Sequence, residues 1–221
     1  MHIPDGLVSN SVNAVTCVVS VGTCAVALVR ANRDLGERQV PLLGVTAAFV
    51  FAAQMLNFPV AGGTSGHFLG ALLAAILLGP LNACLVMAVV LLIQCLGFTD
   101  GGITALGSNL FNMGIVGGIV SYGVLRALLL VLPSSRGSFL AATAIASWLS
   151  TLLAAACCAI ELGMSGTSPL RVALPAMAGA YSLIGIGEAI ITTAVVSTVL
   201  TVRPDLVGAW RPAPEAELQG A

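Results

Sequence analysis

Residues 67–79 read HFLGALLAAILLG, an apolar run that opens on a histidine and stops at Gly79-Pro80. As a helix it measures about 20 Å, against a bilayer hydrocarbon core of roughly 30 Å. Just before it stands NFPVAGGTSG (57–66), which is Gly-rich and carries no charge. The pair predicts a loop that dips into the protein and a helix that begins below the membrane surface. Irregular backbone survives at that depth only when it is buried in protein or lines a cavity. A second Gly-rich stretch, TDGGITALGSN (99–109), recurs two connections later, at the same membrane face.

The rest of the chain supplies the membrane. Of its 221 residues 58% are hydrophobic and 8% charged, where a soluble domain carries about 25% charged residues. The fold class expected is an all-α polytopic membrane protein of about seven transmembrane helices. They fall at 11–30, 40–57, 67–79, 81–97, 109–132, 138–162 and 174–201. Residues 1–202 then form a single transmembrane domain, and 203–221 a polar cytoplasmic tail, partly disordered. The net charge of −1 gives no reason to expect a nucleic-acid partner. The six cysteines, without Cys-x-x-Cys spacing, read as packing residues. MHIPDGLVSN (1–10) lacks the basic start and apolar core of a signal peptide. Met1 is therefore expected to remain the amino terminus.

Eight arginines and no lysine set the orientation. With the amino terminus outside and the carboxyl terminus cytoplasmic, the inner segments hold Arg30, Arg33, Arg38, Arg126, Arg136, Arg203 and Arg211. The outer segments hold only Arg171. The positive-inside rule favours that arrangement. It puts the amino terminus and both Gly-rich loops on the outer face, in a bacterial inner (cytoplasmic) membrane.

The only two histidines, His2 and His67, then share that face. Each alone reads as an interfacial polar residue. Together they suggest a chelate. The α-amine of Met1 and the amide nitrogen and Nδ1 of His2 close five- and six-membered rings around one metal in a plane. His67 would supply a fourth nitrogen, and a square-planar N₄ set favours Ni(II) or Cu(II), with low-spin Co(II) able to adopt it. Nearby polar residues could orient the ligands: Asp5, Asn57, Ser65, Asp100, Asn109 and Glu188, with Gln54, Gln94 and Asn112 as further members of the set. Helix-to-helix hydrogen bonding explains Gln54 and Gln94 equally well. Glu188, inside an apolar helix, reads equally as a functional carboxylate or as a neutral hydrogen-bonding acid. Gly44, Ala48 and Ala52 form a small-residue stripe, suited either to internal packing or to docking another membrane subunit.

Four ordered stretches carry a resemblance. MHIPDG (1–6), GGTSGHFLGALLAAILLGP (62–80), DGGITALGSNLFNMG (100–114) and IGIGEAIITT (184–193) resemble the CbiM/NikM family. Its members are substrate-specific components of energy-coupling-factor transporters for cobalt and nickel. The resemblance implies a six-helix core with one extra amino-terminal helix. Met1, His2 and His67 would be metal ligands, and Gly44, Ala48 and Ala52 the surface toward a transmembrane coupling subunit. It also implies a CbiQ-like coupling subunit, CbiO-like ATPase subunits and a small CbiN-like accessory membrane subunit. No GxxxxGK[ST] loop is present, so the energy must come from elsewhere. Neither a catalytic residue nor a resident cofactor is expected; the metal is cargo. The lean is to Co2+ uptake for cobalamin synthesis, with Ni2+ the alternative. A self-sufficient divalent-cation channel or secondary transporter would call for inverted repeats. A membrane metalloprotease would call for His-Glu-x-x-His, which the chain lacks.

Overall fold

Helices form where the apolar runs stand. The structure, a computed structural model, describes residues 1–34, 36, 39–56, 58–60 and 64–210. Asn57, Arg38, Arg211 and the tail from 211 onward lie outside the described residues, as does the side chain of Ser65. The chain runs through α1 (Asn10–Asp34), α2 (Gln39–Gln54), strands β1 (Phe58–Val60) and β2 (Thr64–Gly66), α3 (Ala71–Leu78) and α4 (Pro80–Phe98). Next, α5 (Leu106–Leu110), a π-helical stretch (Phe111–Val120) and α6 (Ser121–Val131) make one continuous rod. Then come α7 (Arg136–Met164), α8 (Leu170–Val202) and a short 3-10 turn (Pro204–Leu206). Five of these rods are long and apolar enough to cross a membrane, α2 is shorter, and the protein is multi-pass.

The Gly-rich stretch before His67 is more regular than expected. β1 and β2 pair antiparallel, with Phe58 opposite Gly66 and Val60 opposite Thr64. A hairpin satisfies backbone groups that an irregular loop inside the bundle would leave unpaired. His67, Phe68, Leu69 and Gly70 follow as buried backbone outside any helix, and α3 begins only at Ala71. Its eight residues span about 12 Å, while α4 returns over about 28 Å. His67 is therefore enclosed within the bundle, ahead of the helix rather than at its first turn.

Glu188 holds that position. Its Oε2 accepts from the Leu69 amide at 2.6 Å and its Oε1 from the Gly70 amide at 2.8 Å. A carboxylate thus satisfies two amide donors at the amino end of α3, where the helix dipole favours negative charge. Gln54 adds a donor from α2 to the Leu69 carbonyl, at 2.7 Å. The π-helical stretch closes the other side. A Cβ on Gly117 would stand 2.7 Å from Leu69 Cδ2, so any larger residue here would have to push the Leu69 side chain aside.

The amino-terminal arm, the 67–70 segment and the 100–105 loop meet at one end of the bundle. At the far end, residues 207–210 fold back onto α3. Gly208 and Ala209 donate to the carbonyls of Leu77 and Ile76, and Trp210 meets Phe139 edge to face.

Replacing Glu188 by alanine strips two buried amides of their acceptors. Thermal unfolding in detergent should reveal a loss of about 3 kcal/mol, with Glu188→Gln intermediate. An unchanged midpoint would show that α3 does not depend on this carboxylate.

Candidate metal centre

The first three residues are enclosed: Met1 is 0% exposed, His2 3% and Ile3 2%. Backbone pairing draws the arm in. Asn109 accepts from the Ile3 amide at 2.8 Å and donates to the Ile3 carbonyl at 3.1 Å, and Gly102 donates to the same carbonyl at 2.9 Å. Asp5 pins the outer part, its Oδ1 accepting from Thr104 N at 2.7 Å and Thr104 Oγ1 at 2.6 Å. These bonds hold the Asp5 carboxyl below the usual carboxylate range. A Cβ on Gly102 would fall 2.3 Å from the Asp5 nitrogen, so the arm can lie here only over glycine. Behind the arm, Ser165 Oγ accepts from Ser9 N and Thr167 Oγ1 donates to the Leu7 carbonyl.

Inside, the Met1 nitrogen stands 3.3 Å from His67 Nε2 and donates to Tyr181 Oη at 2.5 Å. His67 Nδ1 lies 2.7 Å from the Phe68 carbonyl oxygen, which can only accept. Nδ1 therefore carries the proton, and Nε2 presents its lone pair toward the amine. The rings of His2 and His67 lie 4.5 Å apart and are tilted by 31°. His2 Nε2 is 3.7 Å from Asp100 Oδ2, too long for a hydrogen bond. Burial pushes the Met1 ammonium down to about 5, against smaller opposing effects of Cys158 and Asp100. Burial, and then the neighbouring amine, push His2 down to about 3. At neutral pH the amine and the His2 imidazole are thus uncharged, as metal donors must be.

Metal–nitrogen bonds of about 2 Å put neighbouring corners of a square plane about 2.8 Å apart. The amine and His67 Nε2 stand at 3.3 Å, within a small adjustment of such an edge. Among the described residues no group of three or more His, Cys, Asp or Glu side chains gathers around a common point.

A family model described as "Cobalt uptake substrate-specific transmembrane region" matches residues 2–206. The chain belongs to the CbiM/NikM family. It is 45% identical to a putative fused nickel transport protein of Archaeoglobus fulgidus, over 94% of this chain and 68% of that one. It is 33% identical to a cobalt transport protein CbiM of Pelobacter propionicus, over 94% of each chain. A crystal structure described as a truncated transition metal transporter superposes with a TM-score of 0.84 at 37% identity, covering 91% of this chain and 99% of the other. Relatives in the family are transport proteins, and cobalt and nickel transport is the activity that their names share.

Of the residues singled out in the sequence, Met1, His2 and His67 come together, with Asp100 and Asn109 beside them. Asp5 acts one step out, through Thr104, and Glu188 beneath, through Leu69 and Gly70. Asn112 turns elsewhere, donating to Glu161 at 2.7 Å. Gly44, Ala48 and Ala52 lie exposed on α2, away from its buried Thr46, Val50 and Gln54. Tyr181 went unrecognised. Its signal was its place seven residues before Glu188, two helical turns along the same face of α8.

With no lysine in the chain, the Met1 amine is its only primary amine. In the folded protein at pH 7 it should resist an amine-reactive ester, and Gly102→Ala should speed its acylation at least tenfold, read by intact mass. Rapid labelling of the parent protein would show that the arm is not enclosed.

Proposed function

We propose that this chain is the metal-capturing membrane subunit of a cobalt/nickel importer of the energy-coupling-factor type, and that the Met1 amine, the His2 amide and Nδ1, and His67 Nε2 are the four ligands. The observation that carries this reading is the Met1 nitrogen buried 3.3 Å from His67 Nε2 inside the helix bundle. The ion enters from the outer face, with the arm withdrawn from its cleft. As the arm closes, the ion's water shell would give way to nitrogen donors, and the His2 amide proton would leave to water as its nitrogen binds the ion. Asn109 and Asp5 fix the arm's register, Tyr181 orients the amine, and Glu188 fixes the height of His67.

ATP hydrolysis is assigned to separate CbiO-like subunits, acting through a CbiQ-like coupling subunit in the bacterial inner membrane. The exposed Gly44, Ala48 and Ala52 stripe suits close approach of such a subunit. An excess of arginine at the end opposite the arm, including Arg30, Arg33, Arg126, Arg136 and Arg203, supports an outward-facing arm. The 1–202 membrane domain and a cytoplasmic tail from 203 belong to the same reading.

Nickel is the favoured cargo. A planar four-nitrogen set suits Ni(II), and the divalent affinity order puts nickel above cobalt. The fused relatives from Archaeoglobus fulgidus and Rhodobacter capsulatus, 45% and 37% identical, are named for nickel. Cobalt is the second reading, favoured by the description of the family model.

Calorimetry on the purified protein should give Ni2+ at least tenfold tighter binding than Co2+, and His67→Ala should weaken both at least tenfold. In the enclosed arm burial holds the amine and the His2 imidazole neutral, which leaves the His2 amide proton as the one released when the closed arm takes up the ion. Affinity should therefore fall about tenfold per unit between pH 8 and 6, where an exposed amino terminus would lose more. Binding insensitive to His67→Ala, or to pH, would overturn the ligand set.

A further inference from the structure

We infer that Asp100 is a positioning residue of the site: with an ion on Nδ1 of His2, the opposite ring nitrogen donates a hydrogen bond to the Asp100 carboxylate, which fixes the imidazole and offsets the charge of the enclosed ion. The inference deepens the ligand set proposed above and rests on it.

The side chain of His2 is 2% exposed, and its Nε2 is a buried atom with no hydrogen-bond partner among the described residues. A buried ring nitrogen left unpaired is unfavourable. Asp100 Oδ2 stands 3.7 Å from it, short of contact. A neutral imidazole carries its one proton on either nitrogen. An ion on Nδ1 takes the lone pair there and forces the proton onto Nε2. The unpaired atom then becomes a donor beside a carboxylate. Bringing 3.7 Å down to an ordinary charge-assisted hydrogen bond takes a shift of roughly 0.9 Å.

The loop holds Asp100 where that bond would form. The Asp100 amide donates to the Gln94 carbonyl at 3.1 Å, and the Gly102 amide donates to the Ile3 carbonyl at 2.9 Å. Between them Gly101, at φ +93°, lies against His2, where a Cβ would stand 3.4 Å from Nδ1. The carboxylate therefore sits on the stretch of loop that also clasps the arm.

Charge gives a second reason. A divalent ion held by three neutral nitrogens and one deprotonated amide keeps one positive charge, which is unfavourable away from water. The Asp100 carboxylate already favours positive charge at the Met1 nitrogen. At 18% exposure its side chain stays partly solvated, so the empty site does not hold it as a sealed charge. A carboxylate behind a metal-bound histidine holds the ring plane and makes the ring a stronger donor.

The test combines Ni2+ calorimetry with NMR of protein labelled with 15N in its two histidine rings, since planar Ni(II) is diamagnetic. The loaded parent should show two slowly exchanging ring N–H signals, Nδ1–H of His67 and Nε2–H of His2. Asp100→Ala should weaken Ni2+ binding ten- to a hundredfold and abolish the His2 signal while leaving that of His67. Asp100→Asn, which keeps the size of the side chain without its charge, should lose several-fold, and Asp100→Glu should recover part of the loss. In metal-free Asp100→Asn the Met1 amine should stay as protected from an amine-reactive ester as in the parent. Parent-like affinity in Asp100→Ala would overturn the inference, as would a loaded parent without the His2 Nε2–H signal. Parent-like affinity in Asp100→Asn, with rapid acylation of Met1 in Asp100→Ala, would reduce Asp100 to a loop-building residue and overturn it too. Absence of Ni2+ binding by the parent would defeat the ligand set itself, and this inference with it.

Discussion

The contact between the Met1 nitrogen and His67 Nε2 joins two parts of the chain that have no local reason to meet, and much of the bundle is shaped to allow it. An amine sealed from water and lipid is unfavourable when charged, so the enclosure keeps it neutral and leaves its lone pair available. The imidazole opposite is enclosed by the bundle, where the short eight-residue α3 is tied at its amino end to a carboxylate from α8. The arm must then reach it, and it does so as extended backbone paired with Asn109 and Gly102. Each feature is costly alone in a membrane, and each is compensated by the next.

Much of this organisation was legible from hydropathy and punctuation. Seven helical segments fall where the apolar runs lie, and the short run at 67–79 gave away a helix that starts below the surface. The shared face of His2, His67 and the two loops followed from counting spans. What pattern could not reveal was side-chain direction. Glu188 read equally as a functional or a structural acid until its oxygens were found on the Leu69 and Gly70 amides. Tyr181 carried only its spacing from Glu188, which does not by itself give a side chain its direction. The hairpin at 58–66 escaped because three-residue strands are too short for a period of two to register. The π-helical stretch escaped because a wide turn has the same composition as an ordinary one.

Under the proposed function, capture and release make opposite demands on how firmly the two halves of the site are held. The arm is held by a few hydrogen bonds, several to loop backbone, while His67 is held by the buried seam between α3 and α8. Loops open at low free energy and packed helices do not. In the proposed site the arm's ligands would thus be the more readily released and His67 the fixed one, so a change that frees the arm would also dismantle the site. A partner subunit that shifts α1, which follows the arm directly, would have leverage over the ion without touching it.

The most direct measurement compares Ni2+ calorimetry on the protein with its Met1 amine exposed as the first group and on a form carrying one additional residue before Met1. The extension converts the amine to an amide, moves His2 out of the second position and needs room that a 0% exposed Met1 does not have. At least a hundredfold loss of affinity, with the helical content unchanged, is the expected result. Equal affinity in the two forms would contradict an amino-terminal chelate.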